Sequence, residues 1–299
     1  MIYDVIIIGA GPAGIEAAVY ASRYKLKAVV IAELFGGLVT EAYEVCNFLT
    51  CYKVNGIEMA KRMMNHAKEL GVEILGEKVI DIKKGKNFEV RTNGKKKFVG
   101  KKVIIAVGKE KRKLGLKDED KFQGKGISYC ATCDATLFKD KIVGVIGGGH
   151  SALDAADLLS KYAKKVYIIH RGEKYTRPDP SLIENIMKNK KIEKLFNSEV
   201  KELIGKEKVE GIVLKSGKKL VLDGIFVEIG ADPRIGLAKK LGVKLNKWNE
   251  IIVDKSQRTN VRGVFAAGDI CDNPLKQIIT AAADGAIAAT SAYDEIKKG

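Results

Sequence analysis

The sequence predicts an α/β protein of two Rossmann-like dinucleotide-binding domains, each of the three-layer ββα kind, with the second inserted into the first. Three observations predict it. YDVIII (3–8) runs directly into GAGPAG (9–14) and an apolar helix pattern. KIVGVI (141–146) runs into GGGHSA (147–152) and a second such pattern, and GVFAAGD (263–269) ends a short strand ahead of an apolar helix over 278–293. A glycine turn between a buried strand and a helix is the fingerprint of a dinucleotide site, and the helix N-terminus then faces the phosphates.

In the first module the strand over 3–8 is followed by a helix over 15–24 and a second strand over 28–31. Gly9 makes the tight turn. Gly11, followed by Pro12 and Ala13, lets the backbone approach a pyrophosphate, and Gly14 lets helix and strand pack closely. The acid that takes a ribose hydroxyl lies about 20 residues on. Glu33 is the candidate, just past Ala32, where the strand is expected to end. The second module begins 138 residues after the first, with Gly147, Gly149, His150 and Ser151 in the turn, a helix over 153–162 and a strand over 166–169. Here the strand ends in His170 and Arg171, with Arg177 beyond. An arginine suits a 2′-phosphate where a carboxylate suits free ribose hydroxyls, so NADPH is favoured over NADH. Two modules in one chain suggest one bound flavin dinucleotide and one visiting nicotinamide dinucleotide. Residues 1–113 and 242–299 are expected to form the flavin domain, and 114–241 the inserted one.

The bulk composition narrows the class. With 53 Lys and Arg against 37 Asp and Glu, the chain carries a formal charge of +16. The lysines are scattered among glutamates without a basic stripe interleaved with aromatics, which argues against nucleic acid. The positive field suits an acidic protein partner. No apolar run reaches the roughly 18 residues of a membrane span, and Val5–Ile8 reads as a strand with no basic leader before it. The expectation is a soluble, cytoplasmic protein without nucleic-acid or membrane partners. Five cysteines in such a chain are not a disulfide scaffold. Cys46, Cys51 and Cys271 are read as small apolar residues, with a second disulfide between Cys46 and Cys51 as the alternative. His66 and His150 are read as doing no chemistry of their own.

SYCATCDA (128–135) holds the remaining two cysteines as Cys-x-x-Cys. Zinc or an iron–sulfur cluster would need two more soft ligands, and Cys46 and Cys51 lie in the other expected domain. A structural disulfide suits a reducing compartment poorly. A redox-active disulfide fits a two-dinucleotide protein best. A flavin can take a hydride, which is two electrons at once, and pass both to a disulfide, whose thiols then exchange with a partner. Asp134, beside Cys133, is the candidate for the proton this requires.

GAGPAG (9–14), GG (36–37), AVG (106–108), SYCATCD (128–134), GGGHSA (147–152), GVFAAGD (263–269) and KQIITAA (276–282) follow in the order and spacing of the low-molecular-weight bacterial and archaeal thioredoxin reductases. The chain resembles that family over almost its whole length. The resemblance implies an FAD-bound homodimer that takes electrons from NADPH and delivers them to thioredoxin or a glutaredoxin-like protein. By position, it implies that Cys133 faces the flavin, Cys130 is the interchange thiol and Asp134 the acid/base. It places Gly9, Gly11, Pro12, Ala13, Gly14, Glu33, Gly36, Gly37, Leu38, Asn47, Ala106, Gly108, Gly268, Asp269, Lys276, Gln277 and Ile278 around FAD. Gly147, Gly149, His150, Ser151, His170, Arg171 and Arg177 would surround the nicotinamide dinucleotide. The sequence departs from the family at Leu38, where Gln is usual, at Ala32 in place of the strand-end Glu, and at Gly172 in place of a second arginine. NADH, reduced deazaflavin or ferredoxin are therefore the alternative donors, and a peroxiredoxin system or a dithiol oxidase the alternative uses.

Overall fold

The computed structural model describes residues 1–42, 45, 47–176 and 180–298. The chain divides into two units, Met1–Glu110 with Pro233–Gly299, and Lys111–Asp232. The first unit begins with β1 (Ile2–Ala10), α1 (Pro12–Arg23), β2 (Ala28–Phe35), a 3-10 turn over Gly37–Glu41, and α2 (Gly56–Glu69). It continues with β3 (Glu73–Leu75), β4 (Val79–Lys84), β5 (Phe88–Thr92) and β6 (Lys97–Ile105), and β7 (Lys109–Lys111) leads out of it. The second unit holds α3 (Glu119–Phe122), β8 (Ile127–Ser128), α4 (Ala131–Asp134), β9 (Ile142–Ile146), α5 (His150–Tyr162), β10 (Lys165–Ile169) and α6 (Pro180–Lys188). It closes with β11 (Ile192–Leu195), β12 (Val200–Gly205), β13 (Val209–Leu214), β14 (Lys219–Val221) and β15 (Gly224–Val227), before β16 (Ala231–Pro233) leads back. The first unit is completed by α7 (Gly236–Lys240), β17 (Val264–Ala266) and α8 (Ile278–Lys297).

Period-two alternation in β1 builds the first unit. Val5 and Ile7 face one way and pack with alanines of α1 (Ala13, Ala17, Ala18) and α8 (Ala281, Ala288, Ala289). Ile6 and Ile8 face the other way, against Ile82, Phe88 and Val90 of β4 and β5. Successive side chains of a strand point to opposite faces, so one strand serves both layers. β1 lies between β2 and β6 in a parallel sheet, with Ile7 opposite both Val30 and Ile104. The outer edge of β6 is divided. Its first half pairs antiparallel with β5, Arg91 opposite Lys97, and its second half pairs parallel with β17, Ala266 opposite Ile105. Helices, a parallel sheet and an antiparallel sheet thus form three layers.

The second unit repeats the plan. Its parallel sheet runs β11-β10-β9-β15-β8, and β12-β13-β14 form an antiparallel sheet. Ile127, Ile146, Ile169, Ile225 and Val227 of the first pack against Leu203, Val209, Ile212 and Leu220 of the second. The α/β class and the two Rossmann-like units agree with the sequence.

Several boundaries differ from expectation. β2 does not end at Ala32 but runs to Phe35. α1 starts at Pro12 rather than at residue 15, because proline at the first helical position needs no donor there and arrives with a suitable φ. α5 likewise starts three residues early, at His150. The chain re-enters the first unit at Pro233 rather than at residue 242. The intervening α7 is held by that unit: Ala238 joins its core beside Ile82, and Lys240 Nζ donates to Ile80 O at 2.9 Å and pairs with Asp81 Oδ1 at 2.8 Å. Among the described residues no helix is long and apolar enough to cross a membrane, and no group of three or more His, Cys, Asp and Glu could hold a metal.

α1 and α8 approach so closely that a Cβ on Gly285 would overlap the Ala13 carbonyl. Gly285→Ala is therefore expected to lower stability by about 1–3 kcal/mol, the usual cost of overpacking. Thermal unfolding measures it, and an unchanged Tm would contradict this helix contact.

Candidate functional site

At the first turn a strand must become a helix with no side chain between them. Gly9 adopts φ +115°, and a Cβ there would overlap the Ala106 carbonyl, while one on Gly14 would overlap the Gly9 carbonyl. Gly11, the N-cap of α1, is different. Its backbone is extended, and nothing lies nearer to an added Cβ than Gly37 Cα at 3.9 Å. Protein packing does not require glycine there, whereas a ligand that touches the backbone does. Gly36 N donates to Ala10 O at 2.8 Å, and Gly37, at φ +59°, backs onto Gly11 so closely that an added Cβ would lie only 3.3 Å from Gly11 Cα. Pro12 and Ala13 open α1, and Leu38 lies half-buried in the 3-10 turn.

The C-terminal motif meets this turn. Gly268, at φ +82°, would press a Cβ to within 2.9 Å of Ala13 Cβ. Asp269 follows, its carboxyl raised by burial against the pull of Lys109 and Lys276. Asn47 Nδ2 donates to Gln277 Oε1 at 3.0 Å, so the loop after β2 meets the start of α8, whose N-cap is Gln277 and first residue Ile278. Gly108 accepts from Arg234 N at 3.1 Å. Glu33 lies within β2, exposed and ion-paired with Lys78 at 3.3 Å. Lys276 is committed to the protein: its ammonium bonds the Cys271 carbonyl and pairs with Glu250 Oε1 at 3.2 Å.

Two groups escaped the sequence reading. Lys109 Nζ reaches the same Glu250 Oε1 at 3.1 Å. Burial opposes ionisation of Glu250, yet Asn246, Lys109 and Lys276 hold its carboxyl below the usual range. Asp284 is 8% exposed and accepts from Gly268 N at 3.1 Å, Gln257 Nε2 at 3.0 Å and Asn273 Nδ2 at 2.6 Å. It fixes the backbone one residue before Asp269. A lone acid in the alanine-rich part of α8 was the available signal, because a carboxylate is buried there only with partners.

The second turn repeats the first. Gly147 has φ +149°, and its Cβ would overlap the Glu228 carbonyl. Gly149, the N-cap of α5, is clear to 4.0 Å. His150 and Ser151 begin the helix and are exposed. The His170 ring lies over Gly148, where any Cβ would overlap it, and beside Gly172, whose Cβ would come within 2.8 Å of Nε2. That nitrogen also lies 3.1 Å from Lys174 O, and Thr176 N donates to Gly148 O at 2.7 Å. The loop after β10 therefore folds back on the glycine turn around His170, which gives a steric reason for Gly172. Arg171 is exposed, and Arg177 lies outside the described residues.

Cys130 and Cys133 are joined by a disulfide, with Cα atoms 5.3 Å apart. Cys130 is the N-cap of α4, and its Sγ accepts from Cys133 N at 3.2 Å. Ser128 Oγ accepts from Cys130 N at 3.0 Å and donates to Cys130 O at 3.2 Å. Asp134 is the last residue of α4, with its N–H on Cys130 O at 3.2 Å. Cys51 and Cys271 are free thiols. Cys46, the suggested partner of Cys51, lies outside the described residues.

A family model described as pyridine nucleotide-disulphide oxidoreductase matches residues 3–285. Over 304 aligned positions the chain is 38% identical to a thioredoxin reductase of Listeria monocytogenes, covering 99% of this chain and 95% of that one. It is similar to the crystal structure of Lactococcus lactis thioredoxin reductase, at TM-score 0.93, 34% identity and coverage of 99% and 100%. It is also similar to that of T. acidophilum thioredoxin reductase, at TM-score 0.91, 38% identity and 99% of each chain.

Burial raises the Asp284 carboxyl from 3.8 to about 6, more than its hydrogen bonds from Gly268 and Asn273 lower it. An acid raised in this way binds more protons folded than unfolded between those values. Its contribution to stability is full below 3.8 and is lost as pH rises to about 6. In urea unfolding, the stability of the wild type relative to Asp284→Asn is expected to fall by up to about 3 kcal/mol from about pH 4 to about pH 7. A difference independent of pH would contradict a buried, proton-binding Asp284.

Proposed function

The chain belongs to the pyridine nucleotide-disulphide oxidoreductase family, and from that membership we propose a thioredoxin-disulfide reductase that passes electrons from NADPH through FAD and the Cys130–Cys133 disulfide to thioredoxin or a glutaredoxin-like protein. The observation that carries this reading is the disulfide closed across Cys-Ala-Thr-Cys, one strand ahead of a second bare glycine turn. Gly11 and Gly149 fit the pyrophosphates of two dinucleotides, because each caps a helix of twelve or thirteen residues at a position where protein packing does not itself demand glycine. We assign FAD to the first unit, with Gly9–Gly14, Gly36, Gly37, Asn47, Gly268, Asp269 and Gln277 around it. NADPH is assigned to the second, with Gly147–Ser151 on the phosphates and Arg171 on the 2′-phosphate. FAD supplies the conversion of a hydride into an electron pair that a disulfide can accept.

The remaining chemistry belongs to the cysteines. In the reduced chain the Cys130 thiolate is held by the Cys133 N–H, and it attacks one sulfur of the partner's disulfide. That S–S bond breaks, a Cys130–partner disulfide forms, and the partner's second sulfur leaves and takes a proton, a role we assign to Asp134. Cys133 then attacks Cys130 Sγ, re-forms the internal disulfide and releases the second partner thiol. The partner's disulfide is reduced to two thiols and the Cys130/Cys133 dithiol is oxidised to a disulfide, so electrons balance.

A homodimer is proposed on the same ground. Leu49, Tyr52, Leu275 and Ile279 are large exposed apolar side chains, and the Asn47–Gln277 bond draws their two segments together. The free thiols Cys51 and Cys271 suit the reducing conditions of a cytoplasm.

Anaerobic addition of NADPH, NADH and reduced deazaflavin, separately, tests the donor by the loss of flavin absorption. Rapid bleaching by NADPH, followed by recovery on adding oxidised thioredoxin, is expected. Bleaching by neither nicotinamide would reassign the donor, and failure of thioredoxin to restore colour would reassign the acceptor.

A further inference from the structure

Four-residue α4 is too short to hold the dithiol by itself, since isolated helical turns are not stable. In the oxidised chain the S–S bond restrains the two cysteines. After reduction that restraint is gone, and the geometry of Cys130 depends on what grips it from the N-terminal side. The described residues supply two grips. Ser128, 4% exposed, holds both the N–H and the carbonyl of Cys130. The second grip is a buried acid.

Glu119 is 3% exposed. Its Oε1 accepts from Leu114 N at 2.7 Å and from Tyr129 Oη at 2.5 Å. Its Oε2 accepts from Gly115 N at 2.7 Å and Leu116 N at 3.2 Å. A carboxylate has about four acceptor sites, and all four are used. Three donors are consecutive backbone amides, which order the loop before α3. The fourth is the only side chain among them, and it belongs to the residue next to Cys130. Burial, together with Glu119, pushes the Tyr129 hydroxyl above its usual range, so it remains a donor. The ring packs against the inter-sheet core beside Phe122 and Ile127. Tyr129 is thus tied at its tip to a saturated buried carboxylate and along its ring to the core.

We propose that the Glu119–Tyr129 hydrogen bond is a positioning device for the dithiol, keeping Cys130 within reach of Cys133 after reduction and so setting the equilibrium between dithiol and disulfide. Neither residue touches the reacting sulfurs. Both act through the backbone of residues 128–130. Loosening that backbone lowers the effective concentration of each thiol for the other, disfavours ring closure and makes the disulfide more easily reduced.

This inference rests on the reading of Cys130–Cys133 as a redox-active pair. The test equilibrates the FAD-loaded protein with reduced and oxidised dithiothreitol, followed by acid quenching, alkylation and mass measurement at the two cysteines. The protein S–S bond breaks, the ring S–S bond of dithiothreitol forms, and two dithiothreitol protons end on Cys130 and Cys133. Tyr129→Phe is expected to lower the closure constant about tenfold, equivalent to about 30 mV for two electrons. Glu119→Gln, which puts a donor among four donors, should shift it in the same direction. Ser160→Ala serves as the control for stability alone, because it removes a buried hydroxyl bonded to Asp157 O and Asn189 Nδ2. It should lower Tm without moving the constant. A Tyr129→Phe constant within twofold of wild type, or shifted the other way, overturns the proposal even if Tm falls. If one variant does not fold, the other still decides, since each removes one end of the same bond. A wild-type disulfide that dithiothreitol cannot reduce would instead overturn the redox reading itself.

Discussion

The structure depends on one steric constraint, met twice. A buried parallel strand must turn into a helix so tightly that the first glycine of the turn takes a positive φ and has a carbonyl where a side chain would sit. Gly9 meets Ala106 in this way, and Gly147 meets Glu228. The helix is thereby anchored against the sheet, and its first N–H groups lie beside a glycine N-cap, Gly11 or Gly149, where an added Cβ would meet nothing nearer than 3.9 Å. Those groups have no partner within the helix, so each unit presents a ready site for phosphate. The alanine-rich interface of α1 and α8 follows from the same need, because the helix can lie this close to strand and neighbour only if its contact residues are small.

Around each turn, buried and half-buried polar groups hold the loops that complete it. In the first unit Asp284 holds Gly268, and Glu250 binds Lys109 and Lys276. In the second, His170 fills the space between Gly148 and Gly172, and Glu119 anchors the segment that carries the dithiol. Asp284 and Glu119 are buried where solvent cannot substitute for their partners, so removing one partner costs the desolvation of the other. The residues to which we assign the chemistry are less constrained. Cys133 is exposed and Asp134 half-buried, as suits groups that must meet a partner.

The glycine turns were legible because their requirement is local: a strand pattern, three small residues at fixed spacing and a helix pattern adjoin in sequence. The Cys-x-x-Cys was legible for the same reason. What was not legible is long-range. Nothing near Glu119 in sequence announces that its carboxylate meets Tyr129, ten residues on. Asp284 meets Gly268 only because α8 turns back along the sheet. His170 looked like a ligand residue at a strand end, and its packing over Gly148 depends on how the following loop folds. Glu33 shows the converse: sequence put it just past the end of a strand, but the strand extends past it and Lys78 is its partner. The re-entry point of the chain was misplaced because α7 has no strong pattern, and its allegiance is decided by contacts with β4.

The central claim is that one chain stores electrons at two centres, a flavin and the Cys130–Cys133 pair. Anaerobic reductive titration of the purified, FAD-loaded protein tests it most directly. Wild type should take up four electrons per chain before the flavin is fully bleached, and Cys133→Ser should take up two. Uptake of only two electrons by the wild type would mean that the disulfide does not exchange electrons with the flavin, and would contradict the relay.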